Sequence, residues 1–331
     1  MSCEKTVPDP YPIHDPDPSK FYANQTILDS IRVRSIAFDN DGTAWIGTTD
    51  QGLIKYGLTQ TKVYDSQNSI ISNFSIRDIA IDSENNVWLG ADGLIKYDGE
   101  KFYRLSTGNS NIPEDVVWSV AVDSNDDVWV ASSRAGSGGI AMFDGERFEV
   151  FTPENSPLPV NSTHAIAVDN NNNVWAASTL GAYQSYLSKI SGGFWTVYDR
   201  SDFEQNLYEV LDIEINSRNQ VCGVIHYSLA QSRYHSPNAF CFDGIDMVTF
   251  GLDSIRGCQS IFVDNSDNLW CTFGHGYACF AGDENIRVDS NVIDNNGVST
   301  YETWFSTISQ APDGNIWVGT GEGIRIIEGI E

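Results

Sequence analysis

Basic residues are scarce in this chain of 331 residues, where 19 lysines and arginines face 45 aspartates and glutamates. Arg34 and Arg77 nonetheless sit where later copies of one recurring phrase carry Trp118 and His164, and Arg32 stands two residues before Arg34. A guanidinium grips a carboxylate or sulfate through two parallel N–H donors. An indole offers an apolar face that suits the C–H face of a sugar ring. Arginine beside tryptophan therefore points to a site for a polar or anionic glycan fragment. Histidine and glutamate, here His164, His226 and Glu209, are the groups that acid–base chemistry or a metal would use. Tyr234 and Trp304 add aromatic surface.

A repeat sets the spacing of these residues. An aspartate ends a short apolar alternation and a tryptophan follows six residues later, as in Asp39/Trp45, Asp82/Trp88, Asp123/Trp129, Asp169/Trp175 and Asp264/Trp270. Asn216/Cys222 and Ala311/Trp317 keep the spacing with one member changed. Positions 45, 88, 129, 175, 222, 270 and 317 are separated by 43, 41, 46, 47, 48 and 47 residues. That period fits one four-stranded propeller blade. In the clearest copy the strands are Ser119–Val122, Val128–Ala131, Ile140–Phe143 and Phe148–Phe151, bounded by Gly, Asp, Asn and Ser. The expectation is an all-β protein, a seven-bladed β-propeller with antiparallel four-stranded blades.

The seventh repeat stops after its third strand, at Ile327. Phe21–Ala23 resembles the fourth strand at Phe102–Arg104, so it is predicted to pair with Ile324–Ile327 and close the ring, leaving no free sheet edge. Residues 1–20, with five prolines between Pro8 and Pro18, read as an extended tether, and residues 21–331 as one propeller domain. If Met1-Ser2 stands in place of an export signal, Cys3 would be the lipid-anchored first residue of a lipoprotein.

Binding sites in propellers lie at the channel mouth, where inner strands begin on a rigid scaffold. Five positions before each anchor aspartate, or its counterpart, stand Arg34, Arg77, Trp118, His164, Leu211, Gln259 and Ser306. Two residues earlier stand Arg32, Ser75, Val116, Ser162, Glu209, Gly257 and Trp304. Strand parity alone does not say which of these side chains reach solvent. Blade 5 also carries a long insertion, Gly223–Asn238, with His226, Tyr227, Arg233, Tyr234 and His235, next to His275 of blade 6. The binding set is thus Arg34, Arg77, Trp118, His164, Glu209, His226, Tyr234 and Trp304. The competing reading pairs Arg34 and Arg77 with Asp78 or other acids and packs Trp118 between blades.

The net charge of −26 disfavours nucleic acid and anionic membrane as partners. No apolar run is long enough to span a membrane, and Met1–Thr6 has neither the basic nor the apolar region of an export signal. The polar turns after each aspartate lack the glutamate of a calcium loop and read as hairpin turns. Five of the six cysteines fall between Cys222 and Cys279 without zinc spacing. They read either as buried thiols or, for Cys222 and Cys241, as a disulfide of an oxidising compartment. With no GxSxG, HExxH or P-loop phrase, no metal or cofactor is expected, and a non-enzymatic role is favoured.

The phrases DGTAWIGTTDQGLIKY, ENNVWLGADGLIKYDG and DGNIWVGTGEGIRII resemble the repeats of the two-component-regulator propeller, over Phe21–Ile327. That resemblance implies a ligand-binding sensor propeller of the bacterial periplasm or cell surface, as in the hybrid sensors and lipoproteins of gut Bacteroides. A second resemblance, to virginiamycin B lyase, implies a metal-assisted ring-opening elimination by His and Glu. This chain lacks that family's Trp-Phe-Thr phrase followed by Asn. Three readings therefore stand side by side: a binder of a small molecule or oligosaccharide, a scaffold for a protein partner, and a lyase.

Overall fold

The computed structural model describes residues 25–57, 60–71, 75–181, 184–203, 209–226, 239–251, 258–274, 276–281, 284–289 and 305–328. They form seven antiparallel sheets of four strands each. The inner strands are Val33–Phe38, Asp78–Ile81, Val117–Val122, Thr163–Val168, Glu209–Ile215, Cys258–Val263 and Phe305–Gln310, in blades 1 to 7. The seven-bladed propeller read from the repeat is the fold.

The ring closes as the strand count requires, with a different segment. Gln25–Ile27 pairs antiparallel with the last strand, Gly323–Ile327, matching Gln25 to Ile326 and Ile27 to Ile324. The expected Phe21–Ala23 lies outside the described residues. The apolar side chain in the observed closing strand is Ile27, which packs with Leu28 and Ile31 on the cluster of Val33, Ile36, Ile324 and Ile326. That cluster seals blade 7 to blade 1. The backbone ladder to Gly323–Ile327, with Ile27 against this cluster, makes the closure.

Among the described residues the core is divided into seven apolar clusters. The anchor residues explain why the six-residue spacing recurs. In five blades the indole Nε1 donates to the anchor carboxylate, at 2.9 Å for Trp45–Asp39 and Trp88–Asp82, 3.1 Å for Trp129–Asp123, 3.2 Å for Trp175–Asp169 and 2.9 Å for Trp270–Asp264. The other carboxylate oxygen accepts two backbone N–H groups of the turn, as Asp123 does from Asn125 and Asp127. A lysine of the third strand lies over the indole in three blades, with Lys55 4.9 Å from Trp45, Lys96 5.0 Å from Trp88 and Lys189 4.8 Å from Trp175.

A belt of hydrogen bonds joins one turn to the next. The backbone N–H after the anchor donates to a side-chain oxygen of the following blade: Asn40 to Asn85, Ser83 to Asp126, Ser124 to Asn172, Asn170 to Asn219 and Ser217 to Asp267, at 2.7–3.0 Å. Each acceptor has φ between 62° and 66°, a region that Asn and Asp tolerate better than other side chains. In blade 7 the corresponding residue is Gly314, and Gln310 substitutes by accepting from Asn265 N–H and donating to Gly314 O. At the seam, Pro312 has no N–H to give and Gly42 has no side chain to receive it.

The two degenerate anchors are explained in the same terms. Asn216 still accepts the turn N–H groups of Arg218 and Gln220. Cys222 takes the tryptophan's place and is disulfide-bonded to Cys241, its direct partner on the next strand. Ala311 supplies no side-chain acceptor, and among the described residues the buried Trp317 Nε1 has no hydrogen-bond partner.

Asp123→Asn tests the clasp. An asparagine that still accepts the turn N–H groups presents its NH2 to the indole N–H, donor against donor. The urea midpoint is expected to fall, with a stability loss of about 1–3 kcal/mol. An unchanged midpoint would mean that the indole bond adds nothing.

Candidate functional site

Each inner strand runs from the channel mouth to its anchor aspartate. Just inside the mouth, the register with the second strand slips by one residue in six blades. The residues passed over are Arg34, Trp118, His164, Leu211, Gln259 and Ser306. In blade 2, Arg77 N–H and the ladder partner Asp78 both face Gly90, which leaves Arg77 in the same place. A β-bulge sets two residues against one and re-aims the extra side chain. These seven residues line one central cavity of about 930 Å³. The question that strand parity left open is therefore answered by a local irregularity of the ladder.

Five adjacent blades contribute an arc of functional side chains. Arg77 holds Ala91 O at 2.8 Å through Nη1, and its guanidinium lies 5.1 Å from the Trp118 ring. Trp118 is half-buried and donates through Nε1 to Ser133 O at 3.0 Å. Its ring meets His164 edge-on at 5.6 Å. His164 Nε2 shares a 3.0 Å hydrogen bond with Ser162 Oγ, and Glu209 lines the cavity on the neighbouring blade.

The arginines are not neutralised in the expected way. Asp78 spends its carboxylate on the backbone N–H groups of Val120 and Ile79, both at 2.8 Å. Among the described residues no ion pair involves Arg34 or Arg77, and the buried Arg34 Nε has no partner. Arg32 pairs with Asp50 outside the cavity. Burial lowers the pKa of Arg34. Burial also lowers that of Arg77, helped by the charge of Arg34 and opposed by Asp92. Two like charges are thus held close in a partly dry site, a strain that an incoming anion would relieve. Burial lowers the His164 pKa, with Glu209 pulling the other way, so the ring is neutral at pH 7.

The waist of the channel is lined by acids instead. Asp212 accepts from Ser260 Oγ at 2.9 Å and from Ile261 N–H at 3.0 Å. Burial and the charge of Asp78 push its pKa up to about 6. Glu214 is pushed up to about 8 by burial and by the charges of Asp212 and Asp78. Sequence reading missed these carboxylates, which lie within strand phrases such as DIEIN and carry no spacing signal. Among the described residues, no group of three or more His, Cys, Asp or Glu is disposed to hold a metal ion.

Arg34, Arg77, Trp118, His164 and Glu209 thus share one cavity. His226 is the strand partner of Glu209 by backbone register. Tyr234, Trp304 and His275 lie outside the described residues, as does most of the blade 5 insertion.

Glu214 yields a pH prediction. Its folded value of about 8 lies above the ordinary 4.5, so its contribution is fully present below 4.5 and lost as pH rises through 8. Glu214→Gln is expected to raise the melting temperature at pH 9 relative to the parent more than at pH 5. Equal shifts at both pH values would refute the coupling.

A model of the two component regulator propeller matches residues 27–50, within blade 1 and its closing segment. No curated protein matches the chain. Among solved structures, the extracellular domain attributed to a hybrid two component system of B. thetaiotaomicron superposes with a TM-score of 0.69 at 20% identity. The match covers 94% of this chain and 41% of that one, so the chain spans about two fifths of its relative's length. Virginiamycin B lyase from Staphylococcus aureus gives 0.69 at 12% identity, over 92% of this chain and 97% of the lyase. YCF48 bound to the D1 peptide gives 0.64 at 11%, over 97% and 98%. The regulator-propeller resemblance of the repeats is thereby borne out. At these identities the structural likeness establishes the propeller fold.

Proposed function

We propose that the protein is a sensor-type binding propeller of the cell envelope that takes a polar or anionic glycan fragment at its channel mouth. The observation that carries this reading is the pair of cavity-lining arginines, Arg34 and Arg77, without an acidic partner among the described residues and flanked by the Trp118 ring. The guanidinium groups fit a carboxylate or sulfate, and the indole fits the apolar face of a pyranose. The Cys222–Cys241 disulfide supports an oxidising compartment. Lipidation of Cys3 belongs to the same proposal and lies outside the described residues.

Thermal-shift and calorimetric titration with galacturonate oligosaccharides, sulfated glycosaminoglycan fragments and a neutral glucan test the reading. An anionic probe should stabilise the protein by mass action and the glucan should not. Arg34→Ala and Arg77→Ala should each weaken binding about 10- to 100-fold, from about 1.5–3 kcal/mol per charge-assisted bond. Equal affinity of parent and variants would sink the arginine assignment.

His164 adds a pH dependence. Its lowered pKa leaves it neutral at pH 7, and protonation below the ordinary 6.5 adds a positive charge to the mouth. Anion affinity should rise as the pH falls from 7 to 5, and His164→Gln should flatten that rise. A flat profile in the parent would contradict the assignment.

A lyase is the second reading, favoured by His164 and Glu209 facing the same cavity. Loss of an intact streptogramin B ring on incubation with the protein and a divalent cation would support it. A protein-docking role would use another face, where Phe194 and Ile245 are 82% and 86% exposed on the outer turns of blades 4 and 5.

A further inference from the structure

We propose that Cys258 and Cys271 form a second disulfide, within blade 6, that pins the inner strand carrying Gln259 into the channel mouth. Both side chains are fully buried in the cluster that also holds the Cys222–Cys241 disulfide, between blades 5 and 6. Their sulfur atoms lie 2.7 Å apart. Two unbonded thiols overlap at that separation, and it exceeds the ~2.03–2.05 Å of an S–S bond by only about 0.7 Å.

Strand register explains the approach. Cys258 faces Phe273 and Ile261 faces Cys271, with the bulged Gln259 between them. The slip draws Cys258 diagonally towards Cys271 on the same face of the blade. The bulge that aims Gln259 into the cavity is thus the one that brings the two sulfurs together. Cys279 faces Trp270 across the next strand pair and is left as a buried thiol.

The chemistry balances with a disulfide of a thiol–disulfide oxidoreductase as oxidant. One thiolate attacks that disulfide, and the second cysteine resolves the mixed disulfide. The two cysteines lose two protons and two electrons, one S–S bond forms in blade 6, and the oxidant leaves as a dithiol. Burial and the neighbouring Cys271 push the Cys258 thiol well up in the folded protein, which suppresses the attacking thiolate there. The bond therefore forms while the chain folds, before blades 5 and 6 close over it.

Peptide mapping of protein exported to an oxidising compartment tests this without any variant. The protein is denatured with iodoacetamide and no reductant, then cleaved before aspartates, which cuts at Asp264 and Asp267 between the two cysteines. The expected result is a linked pair of peptides joining Cys258 to Cys271, resolved only by reduction, with Cys279 alkylated. Alkylation of both Cys258 and Cys271, or linkage of either to another cysteine, would overturn the proposal. The outcome is independent of what the channel mouth binds.

Discussion

A buried carboxylate in five of the seven blades holds this ring in shape. At the end of the inner strand it takes the indole N–H on one oxygen and two turn N–H groups on the other. The second strand is thereby locked to the first, and the turn is shaped so that its next N–H reaches the following blade. A buried donor left unsatisfied costs more than a typical bond contributes, so the arrangement favours all-or-none replacement. Blade 5 shows this: with no indole to satisfy, asparagine keeps the turn, and a disulfide to the third strand stands where three other blades pair Trp with Lys. Blade 7 is the exception, since Trp317 keeps its indole but has lost its acceptor. Its terminal position matters, because the seam with blade 1 also lacks the belt contact. There, burial of Ile27 against Ile324 and Ile326 has to bind the ends.

The same strands that build the ring also furnish the mouth, through a one-residue slip in six of the seven inner strands. Regular pleating would send alternate residues into the faces between blades. The slipped residue escapes that alternation and points along the channel. Its identity is less constrained by the faces between blades, and the positions read Arg, Arg, Trp, His, Leu, Gln and Ser around the ring. Function is written in positions that the fold does not need.

Charge is divided along the channel. A surface carrying −26 overall repels an anion at long range, which slows encounter. Close in, Arg34 and Arg77 stand together in a site of reduced dielectric, where their attraction for an anion is least screened. Burial raises the pKa values of Asp78, Asp212 and Glu214, that of Glu214 to about 8, so the floor beneath the arginines carries less negative charge at pH 7 than three carboxylates would.

The Asp-to-Trp spacing, its seven recurrences and the strand left over at the C-terminus already determine the propeller, its blade count and its closure from the N-terminal side. They do so because each blade repeats one local solution to the same burial and hydrogen-bonding problem. The positions of Arg34, Arg77, Trp118 and His164 in one ring are legible for the same reason. Tertiary structure decides what depends on register and neighbours. The closing segment paired with the last blade is Gln25–Ile27, a register that likeness to another fourth strand does not give. A one-residue slip turns the ring of side chains into the cavity, and no composition or period records such a slip. The acids of the waist acquire their meaning only when strands distant in sequence face one another across the channel.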